Sequence, residues 1–372
     1  MIFIYILYAL TALYCLFLAF LIIGTFRLKK KQVSDEIAQI SVIVAARNEE
    51  EHLNSLVDSL LAQEYPNDKY EIIIVNDRST DTTLKLLQEL AHSNPQIKYI
   101  SVGDEESDLI GKKRALTQGI EAALGEILLF TDADCRPGKY WIRSMNETFS
   151  RGFDAVVGYS PLRSKSTSLG KKILSLMKKL ERLAMFAFSA GSIGWNWGIT
   201  ATGRNFAYKR SVFNELHGFD GIGHIPSGDD DLFLQKISKS RKYTIGFATK
   251  QDSFVPSVEK KTGTQTFQQE KRRGSKWRYY PTLIKIISLI AFTYLLLLIV
   301  CFVLVCTGTI PWKVFFISFI TKSVFDLLII LRGAVMFHDF LPLIAFPFVE
   351  ILYAPYFILF GLLGTFSKYK WK

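Results

Sequence analysis

The chain has 372 residues, 49% of them hydrophobic, and a formal net charge of +11. That length accommodates one catalytic domain plus several membrane spans. The apolar residues crowd into positions 1–26 and the stretch after 284, which excludes a wholly soluble protein. The positive charge would suit nucleic acid, anionic lipid or phosphorylated ligands. It lies beside the apolar segments, however, at Arg27, Lys29, Lys30 and Lys31, then at Lys260, Lys261, Lys271, Arg272, Arg273, Lys276 and Arg278. With no zinc-finger spacing, RNP pattern or free basic tail, this argues for headgroups and the positive-inside rule and against nucleic acid. Cys15, Cys135, Cys301 and Cys306 form no CxxC pair, so neither a disulfide framework nor a zinc site is expected, in keeping with a reducing cytosol.

In chain order, Ile2–Phe26 carries no charge and is long enough for a spanning helix. It lacks the basic n-region and small-residue cleavage site of a signal peptide, and basic residues follow it, so the central domain is expected on the cytosolic side. Residues 39–46 read as a buried strand, and residues 70–76, 97–102 and 126–131 as further strands. Residues 49–63, 81–91 and 111–124 read as the helices between them. This alternation predicts a parallel sheet covered on both faces, with ligands beyond the carboxyl ends of its strands. Residues 168–188 read as a basic amphipathic helix, either on a membrane surface or with its apolar face in a domain core. Residues 284–310 and 340–366 are further spans, the latter interrupted by Pro342, Pro347, Glu350 and Pro355. Residues 312–331 are long enough to span but contain Lys313, Lys322 and Asp326, which must face other helices or the interface. Four spans are favoured over three.

Polar motifs fall repeatedly at strand ends. The first strand runs into Ala45-Ala46-Arg47-Asn48-Glu49 and the second into Asp77-Arg78-Ser79-Thr80-Asp81. Asp81 suits a helix cap, and Asp77 suits a ribose or base edge. The fourth strand ends in Asp132-Ala133-Asp134, two carboxylates able to share one hard cation, Mg2+ or Mn2+. Gly111-Lys112-Lys113-Arg114 opens a helix, as a phosphate cradle or as a solvated basic turn. Gly228-Asp229-Asp230-Asp231 crowds three carboxylates, which can raise a pKa into the range of a general base. Gln269-Glu270-Lys271-Arg272-Arg273 precedes the second span and suits either membrane-surface anchoring or a pyrophosphate.

In this order the motifs resemble those of membrane-integrated family 2 glycosyltransferases of the D, D, D, QxxRW branch, which includes cellulose, hyaluronan and poly-N-acetylglucosamine synthases and ceramide glucosyltransferase-like enzymes. The resemblance covers residues 41–277. It implies an α/β, Rossmann-like GT-A domain plus transmembrane helices, in an integral protein of the bacterial plasma membrane with its catalytic domain cytosolic. Ala45, Arg47, Glu49, Asp77, Lys112 and Asp132 would then bind the nucleotide, Asp132 on the diphosphate side, and Asp134 with Asp132 would hold the metal. Gly203 and Asn205, within residues 202–207, would line the acceptor side. Aligning on Asp231-Leu232 makes Asp229 the base, with Gly228 where a glutamate often stands and Asp230 as a rival. Gln269 and Arg272 match the QxxRW motif, whereas Arg273 replaces its tryptophan, which weakens a polymerase reading. The implied reaction is inverting, metal-dependent hexosyl transfer from a nucleotide diphosphate donor, by default a UDP-sugar, to a lipid or lipid-linked hydroxyl. A processive polysaccharide synthase acting on a glycan is the alternative, and a non-catalytic nucleotide-sugar-binding scaffold is a third reading. The expected layout is an anchor (1–26), a basic linker (27–38), the GT-A domain (39–257), a juxtamembrane segment (258–283), C-terminal helices (284–367) and a basic tail (368–372).

Overall fold

The computed structural model describes residues 1–28, 36–103, 107–164, 168–258 and 263–366. Lys29, Lys30, Lys31, Lys260, Lys261 and the 368–372 tail lie outside the described residues. The elements in chain order are α1 (Ile2–Phe26), β1 (Ile40–Ala46), α2 (Leu53–Leu61), β2 (Tyr70–Asn76), α3 (Thr83–Ser93), β3 (Ile97–Ser101) and α4 (Lys112–Glu121). They continue with β4 (Ile127–Phe130), α5 (Trp141–Phe149), β5 (Ala155–Gly158), β6 (Leu162–Arg163), α6 (Leu169–Ile193), β7 (Phe206–Lys209) and α7 (Arg210–Glu215). The last are α8 (Asp231–Ser240), β8 (Ile245–Ala248), β9 (Ser257–Val258), α9 (Gly263–Ser275), α10 (Thr282–Cys306), α11 (Trp312–Phe337) and α12 (Phe346–Phe366). The chain divides into two compact units. One comprises Met1–Arg27, Lys165–Ser192 and Lys260–Lys372, the other Leu28–Ser164 and Ile193–Glu259.

The second unit is built on a seven-stranded sheet of order β3-β2-β1-β4-β7-β5-β8. Strands β1 to β4 pair in parallel, Ile40 opposite Tyr70 on one side and Ile127 on the other. The central residues of β1, β2 and β4 are buried because helices cover both faces, which is why ISVIVAA and YEIIIVN are near-continuous apolar runs rather than alternating ones, while edge strand β3 leaves Lys98 and Tyr99 exposed. The four strands whose alternation with helices implied a parallel sheet do pair in parallel, and further strands make the complete sheet mixed. β7 lies antiparallel between β4 and β5, with Phe130 opposite Phe206 and Val157 opposite Phe206. Only four residues long, β7 has too little pattern of its own to reveal a direction that its neighbours determine. Beside the sheet, β6 pairs in parallel with β9.

The first unit gathers the apolar helices. Among the described residues four segments, Ile2–Phe26, Thr282–Cys306, Trp312–Phe337 and Leu341–Thr365, are long and apolar enough to cross a membrane. The last begins as a 3-10 turn, Leu341–Ala345, and then continues as α12 with Pro355 inside it. Lys322 and Asp326 of α11 face other helices, whereas Lys313 at its start is exposed. Lys322 is 1% exposed and bonds Asp326 Oδ2 and Glu350 Oε1, both at 2.6 Å. The amphipathic α6 belongs to this unit as well. Its Phe188 ring sits 5.9 Å from that of Phe17, while Leu169, Ile173 and Leu174 at its start are exposed. All four cysteines are free.

Candidate active site

Tight turns at the carboxyl ends of β1 and β2 hold the first motifs. Asn48 and Arg78 adopt positive φ of 54° and 53°, bending the chain directly after each strand. The two loops are latched together. Asn48 Oδ1 accepts from the Thr80 amide at 2.8 Å, the Glu49 amide donates to Thr83 Oγ1 at 2.9 Å, and Glu50 Oε2 accepts from Thr82 Oγ1 at 2.6 Å. Asp81 does cap α3, its Oδ1 accepting from the Thr83 amide at 3.0 Å. Asp77 is 4% exposed and takes the Arg78 guanidinium at 3.0 Å. Ala45 and Arg47 are half-buried on the same edge.

The next strand tip brings in charge. Beyond β4, Asp132 Oδ1 accepts from Lys112 Nζ at 2.5 Å, and Arg204 Nε lies 3.8 Å from Asp132 Oδ2. Lys112 Nζ also lies 3.6 Å from Asp229 Oδ2. Burial alone would depress the lysine, but the carboxylates of Asp132 and Asp229 hold its pKa above the ordinary value. Burial would likewise raise Asp132, but Lys112 and Arg204 keep its carboxyl below the usual range. Gly203 lies at the centre of this cluster. A Cβ on it would stand 3.1 Å from Lys112 Nζ, 3.4 Å from Asp229 Oδ2 and 3.8 Å from Asp132 Oδ1. Residues far apart in the chain thus converge on one point beyond the strand ends.

The three consecutive aspartates separate into distinct roles. Asp230 caps α8, its Oδ1 accepting from the Asp231 amide at 2.7 Å, while its Oδ2 accepts from the Gly203 amide at 3.0 Å. Asp231 is 2% exposed and turns back on the Leu232 amide. Asp229 points at Lys112. Gly228 has φ +88°, and a Cβ there would meet Leu232 Cδ1 at 2.5 Å, so the departure from glutamate follows from the backbone.

Two residues act differently from what their motifs suggested. Lys113 turns into the protein, 1% exposed, and donates to the carbonyls of Ile225 at 2.6 Å and Ser227 at 2.8 Å. It anchors the chain leading to Asp229 and offers nothing to a phosphate. Asn205, expected on the acceptor side, is fully buried. Its Nδ2 donates to the Tyr159 and Ser253 carbonyls at 3.0 and 2.8 Å, and its Oδ1 accepts from Trp141 Nε1 at 3.1 Å. It fixes the loop that carries Gly203. Sequence reasoning singled out neither Arg204 as a site cation nor Lys113 as an anchor, since both depend on contacts across the fold.

Gln269, Arg272 and Arg273 lie on α9, in the other unit. Arg273, expected on the diphosphate and acceptor side, instead bonds Glu181 Oε1 at 2.8 Å and Glu270 Oε1 at 3.0 Å.

Among the described residues no group of three His, Cys, Asp or Glu side chains could enclose a metal. Asp132 and Asp134 on one strand tip nevertheless suit a hard cation that takes its remaining ligands from phosphate oxygens and water.

A sheet of this order, with acidic turns at its carboxyl edge, defines a domain of the GT-A, nucleotide-diphospho-sugar transferase type. Residues 41–217 match the family described as glycosyl transferase family 2, so the chain carries a domain of that family. Among curated relatives it is 27% identical over 255 residues to a protein named "Probable glycosyltransferase YdaM" of Bacillus subtilis strain 168, covering 67% of this chain and 55% of that one. It is 36% identical over 107 residues to the beta-monoglucosyldiacylglycerol synthase of Nostoc sp. strain PCC 7120, covering 29% of this chain and 22% of that one. The chain therefore spans little more than half of the first relative and less of the second. The fold resembles that of a Pyrobaculum calidifontis mannosyltransferase solved with GDP-Man and Mn2+, at TM-score 0.55 and 17% identity over 97% of both chains.

Proposed function

We propose that this chain is a membrane-integrated, inverting hexosyltransferase that moves a sugar from a nucleotide diphosphate, UDP by preference, to the hydroxyl of a membrane lipid at the cytosolic face. The observation that carries this reading is the convergence of Lys112, Asp132 and Asp229 on Gly203 at the carboxyl edge of the sheet. The family 2 domain supports sugar transfer, the four apolar segments support a membrane setting, and the named lipid synthase among the relatives supports a lipid acceptor.

Asp77, Arg47, Glu49 and Ala45 form the edge that would take the nucleoside. Asp132 and Asp134 would hold the divalent cation, Mg2+ or Mn2+, which when bound neutralises charge on the departing diphosphate. Lys112 and Arg204, cationic beside Asp132, would take diphosphate oxygens. Asp229 would accept the proton of the acceptor hydroxyl. The hydroxyl oxygen forms its bond to the anomeric carbon while the bond from that carbon to the diphosphate oxygen breaks, and the electron pair leaves with the diphosphate. A single displacement inverts the configuration.

The test supplies Mn2+, radiolabelled UDP-sugars and a membrane lipid extract to the purified protein in nanodiscs. The expected product is one discrete, organic-soluble labelled species. Label in long water-soluble or insoluble chains would replace this reading with a processive polysaccharide synthase. Donor binding without any transfer would leave a sugar-nucleotide-binding scaffold.

A further inference from the structure

The unit built from α1, α6 and α9–α12 contains a cavity of about 760 Å3, a size within the roughly 300–1,000 Å3 of small-molecule sites. Elsewhere these helices approach so closely that only glycine fits. A Cβ on Gly364 would meet Gly274 Cα at 2.5 Å, one on Gly191 the Leu21 carbonyl oxygen at 2.5 Å, and one on Gly333 the Ala187 Cβ at 2.8 Å. The cavity is thus a local feature of a tightly packed unit. Its lining is largely aromatic and aliphatic, with Phe17, Phe188, Phe292 and Phe357 among the rings.

The charge of the lining is one-sided. Glu181, Glu270, Asp326 and Glu350 line the cavity, and Arg273 is the one cation that does so among the described residues. Arg273 is shared between Glu181 at 2.8 Å and Glu270 at 3.0 Å. Lys322, buried behind the wall, is shared between Asp326 and Glu350, both at 2.6 Å. Among the described residues the lining itself thus carries four carboxylates and one cation, with Lys322 behind the wall and Arg182 acting on Glu181 from beside it, so acidic groups outnumber basic ones around the cavity. Tyr356 donates to Glu270 Oε2 at 2.9 Å and Tyr14 to Asp326 Oδ1 at 2.8 Å, so hydroxyl-to-carboxylate bonds already occur along this wall.

We propose that this cavity holds an uncharged, hydroxyl-bearing lipid of the diacylglycerol class, its chains against the aromatic wall and its hydroxyl donating to a lining carboxylate, in preference to a lipid ending in phosphate. A phosphate would add negative charge beside a lining richer in carboxylates than in cations, in an environment of low dielectric, where that repulsion is strong. A neutral hydroxyl donates to the same carboxylates at no such cost. That this lipid is the sugar acceptor rests on the transfer proposed above, whereas its occupancy of the cavity does not.

The experiment uses the full chain in phosphatidylcholine nanodiscs without nucleotide-sugar. Two probes carry the same diazirine-bearing acyl chain, one a diacylglycerol and the other the matching phosphatidic acid. The diacylglycerol is expected to label α6, α10 and α12 about tenfold more than the phosphatidic acid, equivalent to one decade of affinity. Excess unlabelled diacylglycerol should suppress that labelling. Ala184→Trp and Ala291→Trp, which put an indole into the cavity, should abolish it while leaving UDP-sugar binding unchanged. Equal or stronger labelling by phosphatidic acid would overturn the proposal, as would labelling that unlabelled lipid does not suppress. Competition on the unaltered chain keeps the test valid if a variant fails to fold. UDP-sugar binding on the same sample reports separately on the transferase reading.

Discussion

Asp230 accepts the backbone N–H of Gly203 at 3.0 Å, joining the loop before β7 to the start of α8. Its other oxygen caps that helix through Asp231. With both oxygens engaged, Asp230 suits a positioning role, and Asp229 is left as the carboxylate that faces Lys112.

Gly203→Ala should reduce transfer without unfolding the protein. The added methyl would sit 3.1 Å from Lys112 Nζ, so the ammonium must shift within a site whose geometry matters to a fraction of an ångström. A drop on the order of tenfold to a hundredfold in kcat/KM is expected. Steady-state kinetics beside a thermal melt check it, and a lowered melting temperature of matching size would make the defect structural.

Lys113→Met should behave as an anchor mutation. It strips the ammonium from the carbonyls of Ile225 and Ser227 and leaves both buried acceptors unmet. A loss of about 3 kcal/mol of stability is expected, together with lower turnover because the chain before Asp229 loosens. Unchanged thermal stability would contradict the anchoring role.

Gly228→Glu, which restores the residue common in the resembling enzymes, should destabilise this chain. The position has φ +88° and no room for a Cβ beside Leu232. A cost of about 1–3 kcal/mol is expected, seen as a lower midpoint on heating in detergent. A stabilised variant would show that this loop differs from the one described.

The Lys112–Asp132 pair predicts a flat pH response. Asp132 titrates below the usual carboxylate range, so its contribution is present above about pH 4 and is lost only as pH falls through the depressed value. Lys112 titrates above its ordinary value, so its contribution is full below about pH 10 and is lost as pH rises beyond that. The melting difference between the native chain and Lys112→Met should be constant from about pH 5 to pH 9 and shrink below about pH 4. A difference that changes near neutrality would show that another group dominates.

Much of this architecture is legible in the sequence because the relevant patterns are local. Residues 70–76 are expected as a strand and form one, residues 2–26 form a helix, and the acidic motifs fall at strand ends as the alternation implies. The features that escaped depend on distant partners. The antiparallel course of β7 is set by pairing with β4, about eighty residues earlier. Lys112 and Lys113 are adjacent and alike, and only the folded chain sends one toward Asp132 and the other toward Ile225. Asn205 reads as a pocket residue until Tyr159, Ser253 and Trp141 are found around its amide. Arg273 finds Glu181 ninety-two positions away.

The most direct test of the central claim compares Asp229→Asn with Asp230→Asn in the labelled UDP-sugar assay, with donor affinity measured alongside. Asp229→Asn should retain donor binding and lose transfer by roughly a hundredfold to ten-thousandfold, the usual worth of a general base. Asp230→Asn should keep the larger part of its turnover and lose about 1 kcal/mol of stability, because its single amide oxygen can accept only one of the Gly203 and Asp231 N–H groups. Retained transfer in Asp229→Asn with collapse in Asp230→Asn would move the base to the neighbouring residue, and retained transfer in both would contradict the mechanism.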